Sequence, residues 1–123
     1  MRLKQMKGYQ VAGWVLVLGL MVLLQPTSPL RTTADIDGAC ELFAASGAPS
    51  CVSVSLVEQS PYWMYKRDDD GVLRSLVDVP AGIVRRQDLP PVYTLNGAVY
   101  VEGASELRAT SSFVTSGTVG YVM

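Results

Sequence analysis

Hydrophobic and polar positions along the chain divide it into a short series of elements. Val11 to Leu24, VAGWVLVLGLMVLL, is fourteen uncharged residues preceded by three bases. Three structures share that pattern: a strand covered on both faces, a signal h-region, and a membrane anchor. A span wants about 20 apolar residues, so the run is short for an anchor. Pro26, Pro29 and Arg31 crowd the place where a signal would be cleaved. In TTADIDGACELFAASG, Thr32 and Thr33 are candidate N-caps, with Asp35 near the positive end of the helix dipole. Ile36, Ala39, Cys40 and Phe43 share one face at helical spacing, and Gly47 is the stop signal. SCVSVSLVE then alternates Ser with Val and Leu, the pattern of a strand with one buried face. Strand, helix, strand predicts a right-handed crossover and a parallel sheet with its ligand crevice at the strand ends.

Residues 60–78 break that rhythm. PYWMYKR and VLRSLVDV flank Asp68, Asp69, Asp70 and Gly71, and an Asp-Gly between apolar runs predicts a hairpin. Calcium loops alternate their acids and continue to a distant Glu, so the Asp triplet reads as a solvated turn tip. A charged, Pro-rich loop then leads into a strand over Gly97 to Val101. A short helix over 103–109 and a last strand in TVGYVM follow.

Composition narrows the function. With 123 residues there is room for one small domain, and 49% hydrophobic against 17% charged residues supports a core rather than a disordered chain. The net charge of -1 hides an asymmetry: Arg2, Lys4, Lys7 and Arg31 face no acid in residues 1–31, whereas six bases meet eleven acids beyond. No basic patch suited to nucleic acid emerges. Histidine is absent, which removes the commonest general base and any Ser-His or Cys-His nucleophile pair. Ten residues separate Cys40 from Cys51, matching neither a redox nor a zinc spacing. They read as two small buried hydrophobes in a reducing compartment.

Four segments, in order, resemble the acylneuraminate cytidylyltransferases, the enzymes that make CMP-sialic acid and CMP-linked relatives. They are LLQPTSPLRTTADIDGACELF at 23–43, VEQSPYWMYKRDDDG at 57–71, RRQDLPPVYTLNGAVYV at 85–101 and SFVTSGTVGYVM at 112–123. The resemblance implies an α/β fold: a partial Rossmann-like nucleotidyltransferase domain over 11–123, with a mostly parallel sheet and a hairpin insertion at about 60–78. Residues 1–10 would be a basic N-terminal segment. It also implies a cytoplasmic enzyme in which a nonulosonic acid hydroxyl attacks the α-phosphate of CTP and pyrophosphate leaves. Such phosphoryl transfer rests on positioning and charge neutralisation, which suits a chain without histidine.

Carried over by motif, Gln25 would contact hydroxyls of the sugar or nucleotide, Thr27 and Ser28 would shape the loop and donate to the ligand, and Arg31 would hold the loop or face an anion. Arg86 matches the arginine that serves the sugar carboxylate, in some members across a dimer interface, with Gln87 and Asp88 positioning it. Asn96 matches the asparagine of the family's NGAIY segment, an amide placed at the ligand, and Gly97 permits a close backbone approach. Read without the resemblance, QPTSPLR is a strand-to-helix turn capped by Thr and Ser, Arg85 and Arg86 are a solvated pair, and Asn-Gly is a hairpin turn. Thr94 departs from the family: some sialic acid members carry an arginine there. A CMP-pseudaminic or CMP-legionaminic acid enzyme therefore competes with a sialic acid enzyme.

The resemblance further implies Mg²⁺, a Gly-Ser-Lys phosphate loop and an acidic pair beyond the last strand, none of which has a counterpart in this sequence. The expectation is therefore no useful cytidylyl transfer by this chain alone, and an exposed sheet edge prone to aggregation. Two alternatives stand beside it: a non-catalytic homodimerising or binding fragment that docks on a complete subunit, and a membrane-anchored or exported protein using residues 1–24.

Overall fold

The computed structural model describes residues 19–123. The basic N-terminal segment and most of the apolar run lie outside the described residues. The chain divides into two compact units, one reaching to Ser55 and resuming at Leu95–Met123, the other Leu56–Thr94.

The first unit carries a four-stranded sheet in the order β1, β5, β2, β6. These strands are β1 (Leu20–Leu23), β2 (Ser50–Leu56), β5 (Tyr93–Gly103) and β6 (Val119–Val122). β1 runs antiparallel to β5, pairing Leu20 with Gly103 and Leu23 with Tyr100, whereas β2 and β6 are parallel, pairing Cys51 with Val119. The sheet is thus mixed rather than purely parallel, because β1 runs against β5. An apolar run reports burial but carries no information on strand direction, which only the pairing register decides. The expectation of a strand covered on both faces also fails over the described part of the run. β1 is an edge strand whose Met21, Val22 and Leu23 are each more than a third exposed.

Helix α1 (Thr33–Ser46) forms where its end signals fall. Thr32 caps it: the hydroxyl accepts from the Asp35 amide at 3.2 Å, while the Asp35 carboxylate accepts from the Thr32 amide at 2.7 Å, a complete capping box. The Thr32 amide first, and then the Thr32 hydroxyl, which donates to the same carboxylate oxygen at 2.8 Å, hold the Asp35 carboxyl below its ordinary value. Gly47 ends the helix at φ 66°, in the left-handed region. Ala39 and Cys40 are buried, with Ile36, Leu42 and Phe43 packed around them, as the helical spacing required. Gly38 leaves room for the Tyr121 ring, whose atoms lie 2.6–2.8 Å from where a β-carbon would stand. A short helix, α2 (Ala104–Thr110), follows β5.

The core joins Ala39, Cys40, Cys51, Ala98, Val99 and Val101. Each fully buried valine is worth about 1.5–3 kcal/mol. β2 departs from its expected single buried face, because Ser50 and Ser53 are as buried as Cys51 and Val52. Their hydroxyls are satisfied: Ser50 donates to the Phe113 carbonyl at 2.8 Å, and Ser53 is bonded on both sides, as described below. A bonded hydroxyl can be buried where an unbonded one cannot.

Both cysteines are free and buried, in line with the sequence reading. Burial, and then the neighbouring Cys40, push the Cys51 thiol up to about 11. A thiol reagent such as dithionitrobenzoate at pH 8 should therefore label neither cysteine in the native chain and both in urea. Rapid native labelling would contradict this packing.

The second unit contains the hairpin expected at 60–78, built from β3 (Tyr65–Arg67) and β4 (Leu73–Ser75). Gly71 adopts φ 88° in its turn, and the Val72 carbonyl accepts from the Asp68 amide at 2.9 Å. Asp68 pairs with Arg74, and Asp70 Oδ1 accepts from the Val72 amide at 3.2 Å, so these acids serve the turn.

Candidate functional site

The β1–β5 register decides what the loop after β1 meets. Leu23 lies opposite Tyr100, so each further residue moves one position back along β5, toward Ala98, Gly97 and Asn96. Gln25 arrives on Gly97, where its Oε1 lies 2.5 Å from the point a β-carbon would occupy. Gly97 has φ 73°, a conformation in which glycine is favoured and side chains are strained. The group set against the open face of Gly97 is the Gln25 amide. The Tyr100 hydroxyl lies 3.9 Å from the same point. Tyr100 in turn stacks at a tilt on Phe113, with ring centroids 5.4 Å apart.

The loop itself is tied down from within. The Ser28 hydroxyl donates to the Asn96 carbonyl at 3.1 Å. Arg31 Nη1 donates to the carbonyl of Gln25 and, at 3.0 Å, to that of Ser28. Of the two roles considered for Arg31, the geometry shows the one that holds the loop. Thr27 is exposed at its tip.

Asn96 sits at the centre of a dense set of bonds. Its Oδ1 accepts from the Ser53 hydroxyl at 2.6 Å and from the Ala98 amide at 3.1 Å. Its Nδ2 donates to the Ser55 hydroxyl at 2.8 Å and to the Met123 sulfur at 3.5 Å. Ser53 Oγ also accepts from the Val99 amide at 2.8 Å. Asn-Gly is therefore not a hairpin turn, since it lies inside β5. Ser53 and Ser55 were missed in the sequence, although the alternating serines of SCVSVSL were the signal: they set hydroxyls along β2.

Gln25, Thr27, Ser28, Arg31, Asn96 and Gly97 thus belong to one unit and, Thr27 apart, to one connected cluster. Arg86 and Gln87 belong to the other unit, both exposed, in a 3₁₀ turn over Arg86–Asp88. There Arg86 Nη2 donates to the Glu58 carbonyl. That carbonyl, rather than Gln87 or Asp88, is the partner that orients Arg86.

Among the described residues no three His, Cys, Asp or Glu side chains come together to hold a metal. The Asp35 carboxylate is already committed to the Thr32 cap. The described residues do not fit a Mg²⁺ centre. Also among the described residues, no helix is long and apolar enough to cross a membrane.

An amide on a left-handed glycine, beside a phenol and a strand carrying serine hydroxyls, forms one connected polar cluster in a small α/β unit. No protein-family profile matches the chain. It is 38% identical over 102 residues to N-acylneuraminate cytidylyltransferase of Streptococcus agalactiae serotype V, a match covering 83% of this chain and 24% of that protein. The serotype III protein of the same name matches equally well. CMP-N,N'-diacetyllegionaminic acid synthase of Legionella pneumophila is 32% identical over 99 residues, covering 80% of this chain and 41% of that protein. The chain belongs to the acylneuraminate cytidylyltransferase family. It spans about a quarter of the length of the streptococcal relatives.

Proposed function

We propose that this chain contributes the sugar side of an active centre that joins a nonulosonic acid to CMP. In that reaction a sugar hydroxyl attacks the α-phosphorus of CTP. The new O–P bond forms as the bond to the bridging oxygen breaks, the hydroxyl proton passes to water, and pyrophosphate leaves. The observation that carries the reading is the Gln25–Gly97 contact, because it joins two of the segments that resemble the family at a point where neutral donors converge. In the first unit Gln25 would donate to sugar hydroxyls from its seat on Gly97, with Ser28 and Arg31 keeping that loop in shape; in the second unit, taken by itself, Arg86 would offer its guanidinium to a sugar carboxylate, a role that rests on its resemblance to the family arginine. The finer fold expectation, a Rossmann-like nucleotidyltransferase domain, is supported by α1 linking two strands of the mixed sheet. A homodimer is supported by apolar side chains the second unit leaves exposed, Leu73 at 61% and Val84 at 81%.

The test is binding of N-acetylneuraminic, legionaminic and pseudaminic acids to the purified chain by calorimetry, with pyrophosphate release from CTP and Mg²⁺ followed in parallel. We expect saturable binding of one of these acids, weakened roughly ten-fold or more by Arg86→Ala through loss of a charge-assisted bond. Binding of none of the three would overturn the reading.

A further inference from the structure

The Asn96 side chain has two donor hydrogens and an oxygen able to accept two bonds, and protein groups occupy every one of them. An amide so committed has nothing left to offer a ligand. Three of its four partners, Ser53, Ser55 and the Ala98 amide, lie in β2 and in β5, the strand that carries Gly97. The bond from the Ala98 amide to Oδ1 spans Gly97 itself, so it closes a small ring over the left-handed residue. The Asn96 carbonyl also receives Ser28, which ties the Gln25 loop to the same point.

We propose that Asn96 is a positioning residue, and that Ser53 and Ser55 lock its amide so that Gly97 and the Gln25 loop keep the geometry a ligand meets. Ser53 is the stronger lock. It is buried, it donates to Oδ1, and it accepts from the Val99 amide, so its hydroxyl determines which end of the Asn96 amide faces Ser53. Ser55, half-buried, then accepts from Nδ2 and fixes the other end. This role rests on the ligand reading above only for its last step, from Gln25 to sugar.

Two readouts separate the proposal from that reading. The first needs no ligand: in ¹⁵N-labelled full-length chain, Ser53→Ala and Ser55→Ala should each shift the side-chain amide resonances of Gln25 as well as those of Asn96. Local loss of a serine contact would move Asn96 alone, and that result overturns the proposal. Should Ser53→Ala fail to fold, Ser55→Ala decides. The second titrates N-acetylneuraminic acid. Ser55→Ala should weaken binding roughly ten-fold in the native background, about one hydrogen bond's worth, and should add nothing once Gln25→Ala is present. A loss that persists in the Gln25→Ala background would mean that Asn96 or Ser55 touches the sugar directly, and would also overturn the proposal. If the native chain binds no sugar acid, the functional reading falls, and the resonances of Gln25 still decide the role of Asn96.

Discussion

Replacing Glu102 by glutamine should stabilise the chain at pH 7 by about 1–3 kcal/mol, the scale of an uncompensated buried polar or charged group. Glu102 stands in β5 opposite Met21, is completely buried, and neither carboxylate oxygen has a hydrogen-bond partner among the described residues. Burial first, and then the neighbouring Glu106, push its carboxyl above the usual 4.5. The sign follows from which state holds the proton more tightly. The folded chain does, so it gains nothing from this group at alkaline pH and is favoured as pH falls. Below about pH 4 the carboxyl is protonated folded or unfolded, and the penalty vanishes. As pH rises above 4.5 the unfolded chain releases the proton more readily, and stability declines until the folded pKa is passed. Urea midpoints measured from pH 4 to pH 8 should therefore fall with pH more steeply for the native chain than for Glu102→Gln, with the two curves meeting at the acid end. Curves that stay parallel throughout would show that the carboxylate finds a counter-charge in solution. Glu106→Gln should recover only a small part of the gain, because burial is the larger cause.

Glu102 also shows where sequence reading stops. In YTLNGAVYVEG it looks like the polar end of a strand, and no pattern distinguishes an exposed terminal glutamate from one covered by neighbouring elements. What could be read was local: the Thr32–Asp35 capping box, the Gly47 stop, the buried face of α1 and the hairpin around Gly71 follow from interactions spanning a few residues. What could not be read was the pairing of distant strands. The same Val and Leu residues serve a parallel or an antiparallel neighbour, so the direction of β1 against β5 escaped, and with it the reason Gln25 meets Gly97. The site followed the same division. The QPTSPLR and NGAVY segments stood out through their resemblance to a family, and of the two roles expected for Arg31 the loop-holding one matches its bonds. Arg31 binds carbonyls, Asn96 is turned inward, and Ser53 and Ser55, which turn it, stood unnoticed in a strand read only for its hydrophobic alternation.

Gly97→Ala should then cost the chain in two separable ways. The first is conformational: an L-residue at φ 73° is disfavoured by about 1–2 kcal/mol relative to glycine, wherever Gln25 points. For a domain of this size that lowers the melting temperature by several degrees, roughly 4–8 °C per kcal/mol for 60–100 residues. The second is steric: the new methyl would stand 2.5 Å from Gln25 Oε1, well inside van der Waals contact. Gln25 is half-buried and its amide is the free end of a flexible side chain, so it swings away rather than breaking the sheet. The fold therefore bears the conformational part, and the ligand bears the steric part. Thermal melts of Gly97→Ala in the native and Gln25→Ala backgrounds should show nearly the same loss of stability. Binding of the sugar acid should drop roughly ten-fold or more in the native background and no further in Gln25→Ala. A melting loss that disappears in the Gln25→Ala background would place the strain in the contact instead of the backbone. Unchanged sugar binding in Gly97→Ala would remove Gln25 from the ligand's path and leave Gly97 as a feature of the strand alone.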